Sequence, residues 1–416
     1  MELLYLLHIT FIKRLINASR YLNNLDIYYY KNNYIFKCFN LAISLREFMF
    51  KKINNDNNEI YSDRKDPLKT VFLVWAPHSI RAKNLAEHLD AKLYLISYKF
   101  KKKIYSPIKY IKLFTNTLLI LEKEKPHIII CQIPPIFCAL ATIIYQYLTG
   151  AKCNIAIDMH TGAFDKPWSY LQPLNRWIMK KVYMIIVTNS ELKDSVCSEI
   201  KRKIIVLEDP LSNFEIEMKK TQEKGVEKNG KFFKVAVISS FAPDEPLEEI
   251  LDAAATMSEI LFYITGDILK AAKHLLGKKI NNVIFTGFLD YNDYVSLLQG
   301  VNVIMVLTKR NKTMLAGAYE ALALQKPLIT SDWPPLKRYF YKGTVHVDNS
   351  PKEIQEAIEI VRKRSEEMVR GIGDLRIEKN NEWNKKFTTF KHLLENDKIF
   401  KQYQKINVVD NNEEMC

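Results

Sequence analysis

The sequence predicts an α/β protein made of two successive Rossmann-like, doubly wound domains that face each other across a cleft. Three observations predict it. From Thr70 onward, short β-branched runs alternate with helical periods, the mark of parallel sheets wrapped by helices. The series breaks once, at the charged stretch KKTQEKGVEKNGK (219–231), and then begins again. At 416 residues, 48% hydrophobic and 26% charged, the chain can bury two cores and is too apolar for wholesale disorder.

Residues 1–66 are rich in Asn, Tyr and Lys and read as an N-terminal extension that leaves through the polar stretch NNDNNEIYSDRKDP. The first domain is expected over 67–212, with strands at Val71–Trp75, Leu93–Ser97, His127–Gln132, Asn154–Ile157, Met184–Thr188 and Ile204–Leu207. A linker over 213–231 follows, since no core can use its charges. The second domain is expected over 232–370, with strands at Phe232–Ile238, Leu261–Thr265, Val283–Phe285, Val301–Leu307, Leu328–Thr330 and Thr344–Val347. Pro351 opens a helix, and the remainder, 371–416, reads as a helical tail. In that tail Trp383, Phe387 and Phe390 recur at helical spacing, so it can cross back onto the first domain; the acidic end DNNEEMC reads as frayed.

The formal net charge of +14 favours anionic partners, and phosphorylated small molecules, lipid headgroups and nucleic acid all qualify. Signatures of nucleic-acid readers are missing, so no nucleic-acid partner is expected. Six cysteines (Cys38, Cys131, Cys138, Cys153, Cys197, Cys416) form no CxxC pair, which argues against a zinc site or disulfide framework and for a reducing cytosol. With no run of about 18 apolar residues and no signal-peptide layout at the start, the expected location is cytoplasmic, with peripheral contact at the cytosolic face of a membrane. For that contact the segment Lys99–Tyr105, followed by Ile108, Tyr110, Ile111 and Leu113, offers basic and apolar residues together. An ordinary solvated helix accounts for it equally well.

Ligands of open α/β sheets bind outside the carboxyl ends of the strands, so candidates are sought there. Asp158 and His160 end an apolar strand before Gly162, and the pair can abstract a proton from a hydroxyl while one member orients the other. The plain alternative is a capping aspartate beside a solvated histidine. Ser239–Pro246 follows the first strand of the second domain, and its hydroxyls and N–H groups, Ser240 among them, form an anion cradle unless Asp244 simply caps the next helix. Lys309, Arg310, Lys312 and Thr313 lie just before a small-residue helix start at Gly317. Cations there suit a departing diphosphate; a solvated charge run is the alternative. Glu320, in the first turn of that helix, can accept from a ribose diol or merely favour the positive helix end. No acidic pair accompanies the cations, so no metal and no cofactor is expected.

With these residues in view, the chain resembles GT-B glycosyltransferases, group 1 or family 4-like, over about 68–365. The stretch from Gly317 through Glu320 and Pro327 to Asp332 is similar to the family's donor motif, in which a glutamate holds the ribose. Phe285-Thr-Gly287-Phe-Leu is similar to its turn near the base, and Ile264-Thr-Gly266-Asp267 to a cleft-lining turn. Asp158-Met-His160 and the turn from Ser239 to Glu245 are similar to motifs of dolichol-linked chitobiose mannosyltransferases. Two departures stand out: Lys312 occupies the place of the family's earlier glutamate, and the SSFAPDEP turn lacks its arginine and lysine. The resemblance implies a metal-independent hexosyltransferase that moves sugar from a nucleotide-diphosphate donor to a glycan or lipid-linked acceptor in cell-surface glycan synthesis. The first domain would serve the acceptor and the second the donor. His160 and Asp158 would be catalytic. Ser240, Gly266, Arg310, Lys312, Thr313, Gly317 and Glu320 would bind the donor. A sugar-nucleotide epimerase and a non-catalytic scaffold partner of a membrane glycosyltransferase remain the alternatives.

Overall fold

The computed structural model describes residues 68–98, 106–211 and 232–404. The expectations for the N-terminal extension, the Lys99–Tyr105 run, the linker and the acidic end fall outside them. Each expected strand run is present as a strand. The first sheet comprises β1 (Thr70–Val74), β2 (Lys92–Leu95), β3 (Ile128–Ile133), β4 (Asn154–Met159), β5 (Met184–Val187) and β6 (Ile204–Val206). Its spatial order is β2-β1-β3-β4-β5-β6, parallel throughout. The second comprises β7 (Phe233–Val237), β8 (Ile260–Thr265), β9 (Val283–Gly287), β10 (Val303–Val306), β11 (Leu328–Ser331) and β12 (Thr344–Val347). Its order is β12-β11-β10-β7-β8-β9, again all parallel.

Both sheets are buried on two faces, which explains why their strands are continuous apolar runs rather than alternating ones. In β1, Val71 and Leu73 join one core layer while Phe72 and Val74 join the layer on the opposite face. In β7, Val235 and Val237 face one layer and Ala236 the other. The period of two along a strand sorts neighbours to opposite sides, so both sides must be apolar.

Five of the helices bear on function. They are α1 (Ile80–His88), α2 (Ser106–Glu124), α3 (Tyr291–Gly300), α4 (Ala316–Ala323) and α5 (Ser365–Glu395). The last is one helix of 31 residues. Its first part buries Met368, Ile372 and Leu375 in the second half, and its later part buries Trp383, Phe390, Leu393 and Leu394 against the first sheet. Trp383 Nε1 donates to the Glu208 carbonyl at 3.0 Å, and Lys386 Nζ meets the Glu208 carboxylate at 2.5 Å. The tail thus crosses back as its aromatic spacing implied. Apart from Gln146–Gly150, both Rossmann-like halves belong to one compact unit.

Candidate active site

In the second sheet the winding reverses between β7 and β10, the switch point at which open α/β sheets form their ligand crevice, outside the carboxyl ends of the strands. The Ser239–Glu245 turn leaves β7 there, and the Thr308–Leu315 loop leaves β10 beside it. Thr308 is fixed by a buried network: its N–H donates to Ser331 Oγ at 2.8 Å, and its carbonyl accepts from Trp333 Nε1 at 2.9 Å and Asn349 Nδ2 at 3.1 Å. Its hydroxyl donates to Asp244 at 2.9 Å, which joins the two loops across the crevice. Asp244 therefore braces the loops rather than capping a helix.

The anion cradle at Ser239–Phe241 exists, but the chain fills it. The Glu245 carboxylate accepts from Ser239 Oγ at 2.5 Å, Ser240 N at 3.0 Å, Ser240 Oγ at 2.6 Å and Phe241 N at 3.1 Å. Phe241 takes a left-handed φ of 58°, which turns its N–H into that nest. Ser240 is exposed at the mouth, yet its donors are spent on Glu245. Gly266, after β8, has φ +117°, and a Cβ there would lie 2.3 Å from the Ser239 carbonyl oxygen. Only glycine lets these two loops touch.

Helix α4 starts directly over the crevice. A Cβ on Gly317 would lie 2.9 Å from Ile238 Cδ1 and 3.0 Å from Val306 Cγ2, so glycine allows the helix start to sit on the ends of β7 and β10. Glu320 is the fifth residue of α4, one turn further in than its expected place in the first turn. It is half-buried and accepts from Tyr294 Oη of α3 at 2.5 Å. Burial raises its carboxyl above the ordinary glutamate value, and the Tyr294 hydrogen bond only partly offsets this.

The cations of the β10 loop all have partners. Lys309 Nζ meets Glu249 at 2.6 Å, Arg310 pairs with Asp165, and Lys312 Nζ donates to Ser195 Oγ at 2.8 Å. Lys312 adopts φ 62°, and its carbonyl accepts from Thr161 Oγ1 and Asn189 Nδ2, each at 3.0 Å. Thr161 and Asn189 follow β4 and β5, so the carboxyl-end loops of the two sheets meet here. Thr313 is half-buried between this contact and α4.

On the first-half side, His160 follows β4 and keeps about a third of its side chain exposed. Its Nε2 lies 3.1 Å from Asp158 Oδ2 and 2.8 Å from Gln132 Nε2 of β3. Among the described residues its Nδ1 makes no hydrogen bond. Asp158 is fully buried, so it lies behind His160 and is not exposed as the sequence pattern led one to expect. Its carboxylate is bound by Arg81 Nε at 3.0 and 3.1 Å and by Gln132 at 3.1 Å. Burial alone would raise its pKa, but the charges of Arg81 and His160 together with the hydrogen bonds hold it well below the usual carboxylate range. Sequence reading missed Arg81, Gln132, Tyr294 and Asn189. Arg81 opens a helix just after β1, so the search at carboxyl ends of strands could have found it.

Residues 218–372 match the family model "Glycosyl transferases group 1". No curated protein sequence matches the chain. Among solved structures, a glycosyltransferase from Rickettsia africae is similar at 12% identity and TM-score 0.60, covering 79% of this chain and 98% of that one. Anabaena HepE in complex with UDP and glucose is similar at 13% identity and TM-score 0.56, covering 77% and 100%. S. aureus MnaA in complex with UDP is similar at 13% identity and TM-score 0.50, covering 74% and 92%. Two parallel six-stranded sheets whose carboxyl-end loops meet, in a chain that aligns along these structures, define the GT-B fold, and this chain has it, with the group 1 glycosyl transferase match in its second half.

Proposed function

We propose that the protein is a glycosyltransferase that moves a sugar from a nucleotide-diphosphate donor to a hydroxyl of a glycan or lipid-linked acceptor. The observation that carries this reading is Glu320, half-buried one turn into a helix that Gly317 seats on the β7/β10 crevice. The group 1 match over the same segment and the UDP bound in two similar structures support a nucleotide-sugar donor. Glu320 then takes the ribose diol, and the N–H groups at the start of α4, with Thr313, take the diphosphate. Arg310 and Lys312 turn from Asp165 and Ser195 to the leaving diphosphate, where fixed positive charge lowers the barrier most and no metal is required. Gly266 and Ser240 line the crevice beside the donor.

His160 serves the acceptor. Its Nδ1 takes the proton of the attacking hydroxyl as the new glycosidic bond forms; the old anomeric C–O bond breaks and the nucleoside diphosphate departs with that electron pair. Asp158 orients the ring and does not touch substrate. On this reading the exposed Ile108 and Ile111 of α2 rest at an anionic membrane, on its cytosolic side, where a lipid-linked acceptor is presented. Among the described residues no helix is long and apolar enough to cross a membrane.

The test is product analysis with UDP- and GDP-sugars, with and without acceptor. Acceptor-dependent release of nucleoside diphosphate, lost in His160→Ala with donor affinity kept, is expected. An isomeric nucleotide sugar formed without acceptor would identify an epimerase instead. Binding with no product in any combination would identify a scaffold.

A further inference from the structure

Arg81 is the second residue of α1, only 5% exposed, in a helix whose N-cap Ser79 accepts from Ala82 N at 3.2 Å. A buried guanidinium is costly to keep unless nearly every donor is matched. Here the matching is close to complete: Nε reaches both Asp158 oxygens, one Nη pairs with Asp209, and the other donates to the Leu207 carbonyl at 2.9 Å. Leu207 and Asp209 lie just beyond β6, in the segment that α5 clasps at Glu208. One arginine thus ties the end of β4 to the place where the chain leaves the first sheet.

Two partners of opposite kind compete for His160 Nε2: the Asp158 carboxylate, which can only accept, and the Gln132 amide, which donates. If the ring carries its proton on Nε2, that proton goes to Asp158 at 3.1 Å. If Nε2 is bare, it accepts from the Gln132 amide at 2.8 Å, and the proton sits on Nδ1. A charged carboxylate is the stronger acceptor, roughly twofold over a neutral pair. It wins only while Asp158 stays ionised; the titratable groups that face it are Arg81 and His160, with Asp209 on the far side of Arg81.

We propose that Arg81 is a positioning residue: by clamping Asp158 it fixes His160 in the Nε2–H tautomer and leaves Nδ1 as the acceptor for a substrate proton. This rests on the reading of His160 as the acceptor-side group. Without Arg81, Asp158 would take up a proton in its buried site, the Gln132 amide would claim Nε2, and Nδ1 would carry the hydrogen. Nδ1 would then have no lone pair to offer.

The experiment is ring ¹⁵N NMR of the full chain labelled at histidine, with His160 assigned by loss of its signals in His160→Gln. The neutral ring of the parent protein should show Nε2–H shifts. Arg81→Met should move it to the Nδ1–H pattern and cut turnover at least tenfold, with donor affinity changed less than twofold. Arg81→Lys returns the charge and should restore the parent pattern at least in part. A parent protein already in the Nδ1–H form overturns the proposal, as does folded Arg81→Met with unchanged His160 shifts. Should Arg81→Met fail to fold, the parent tautomer and Arg81→Lys decide. No sugar donor enters the NMR measurement, so a protein that binds no nucleotide sugar would sink the transferase reading while leaving the tautomer result to stand or fall by itself.

Discussion

At the scale of single residues, Glu320 sets function against stability. Its raised carboxyl pKa, caused first by burial, means that its contribution to stability is full below the ordinary glutamate range and is lost as pH rises through its folded value. Glu320→Gln removes that loss while keeping an oxygen for Tyr294. The variant should therefore melt above the parent protein near neutral pH, by a margin that shrinks toward acid pH. Donor affinity should fall by about 1.5–3 kcal/mol, the worth of charged hydrogen bonds to a ribose. Calorimetry and thermal unfolding across pH check both halves. A variant that melts lower and binds donor as before would make Glu320 a structural residue. The two glycines differ in kind. Gly266→Ala combines a left-handed φ with a 2.3 Å approach to backbone, so strain of about 1–3 kcal/mol and overpacking of about 1–3 kcal/mol should add. Gly317→Ala meets side-chain tips, one of them the movable end of Ile238, and should cost about 1–3 kcal/mol. Denaturant unfolding that ranks Gly317→Ala as the worse of the two would contradict this account of the crevice.

At the scale of elements, the strands were readable because sheets buried on both faces demand short, mainly apolar runs rich in β-branched residues, such as Ile128–Ile133 and Val303–Val306. The long α5 was readable in part: the spacing of Trp383, Phe387 and Phe390 announced a helix that packs. Nothing local announced that it forms one rod from Ser365, spanning both halves. Less of the site was legible. The Ser239–Glu245 turn displays donors that suit a phosphate, and sequence cannot show that Glu245 folds back to fill them, because that depends on the φ of Phe241. Asp158 looked like a base because it stands two residues from His160. Its burial depends on Arg81, which is 77 positions away in the chain, and Arg81 is held in turn by Asp209, 128 positions from it. Pairings at that distance have no periodic trace.

At the scale of the whole molecule, the β10 loop is one of the places where the two halves meet, beside the Arg338 contact with Glu191 and the long helix α5. Lys312, which stands where the resembled family has a glutamate, offers its carbonyl to Thr161 and Asn189, and Arg310 reaches Asp165. Asp165 and an incoming diphosphate would then compete for Arg310. Asp165→Asn should tighten donor binding, whereas Arg310→Ala should weaken it by about 1.5–3 kcal/mol. The double variant should bind no better than Arg310→Ala. Equal weakening by both single variants would mean that the ion pair merely holds the loop. Closure of GT-B halves around a ligand would make this exchange part of the cycle, since hinge motions commonly follow ligand binding.

The most direct test of the central claim is calorimetric titration of the full chain with a panel of UDP- and GDP-sugars, repeated on Glu320→Gln. The account predicts that at least one nucleotide-diphosphate sugar binds the parent protein and that its affinity drops in the variant. If no member of the panel binds, or if the bound sugar is indifferent to Glu320, the crevice at β7 and β10 is not a donor site.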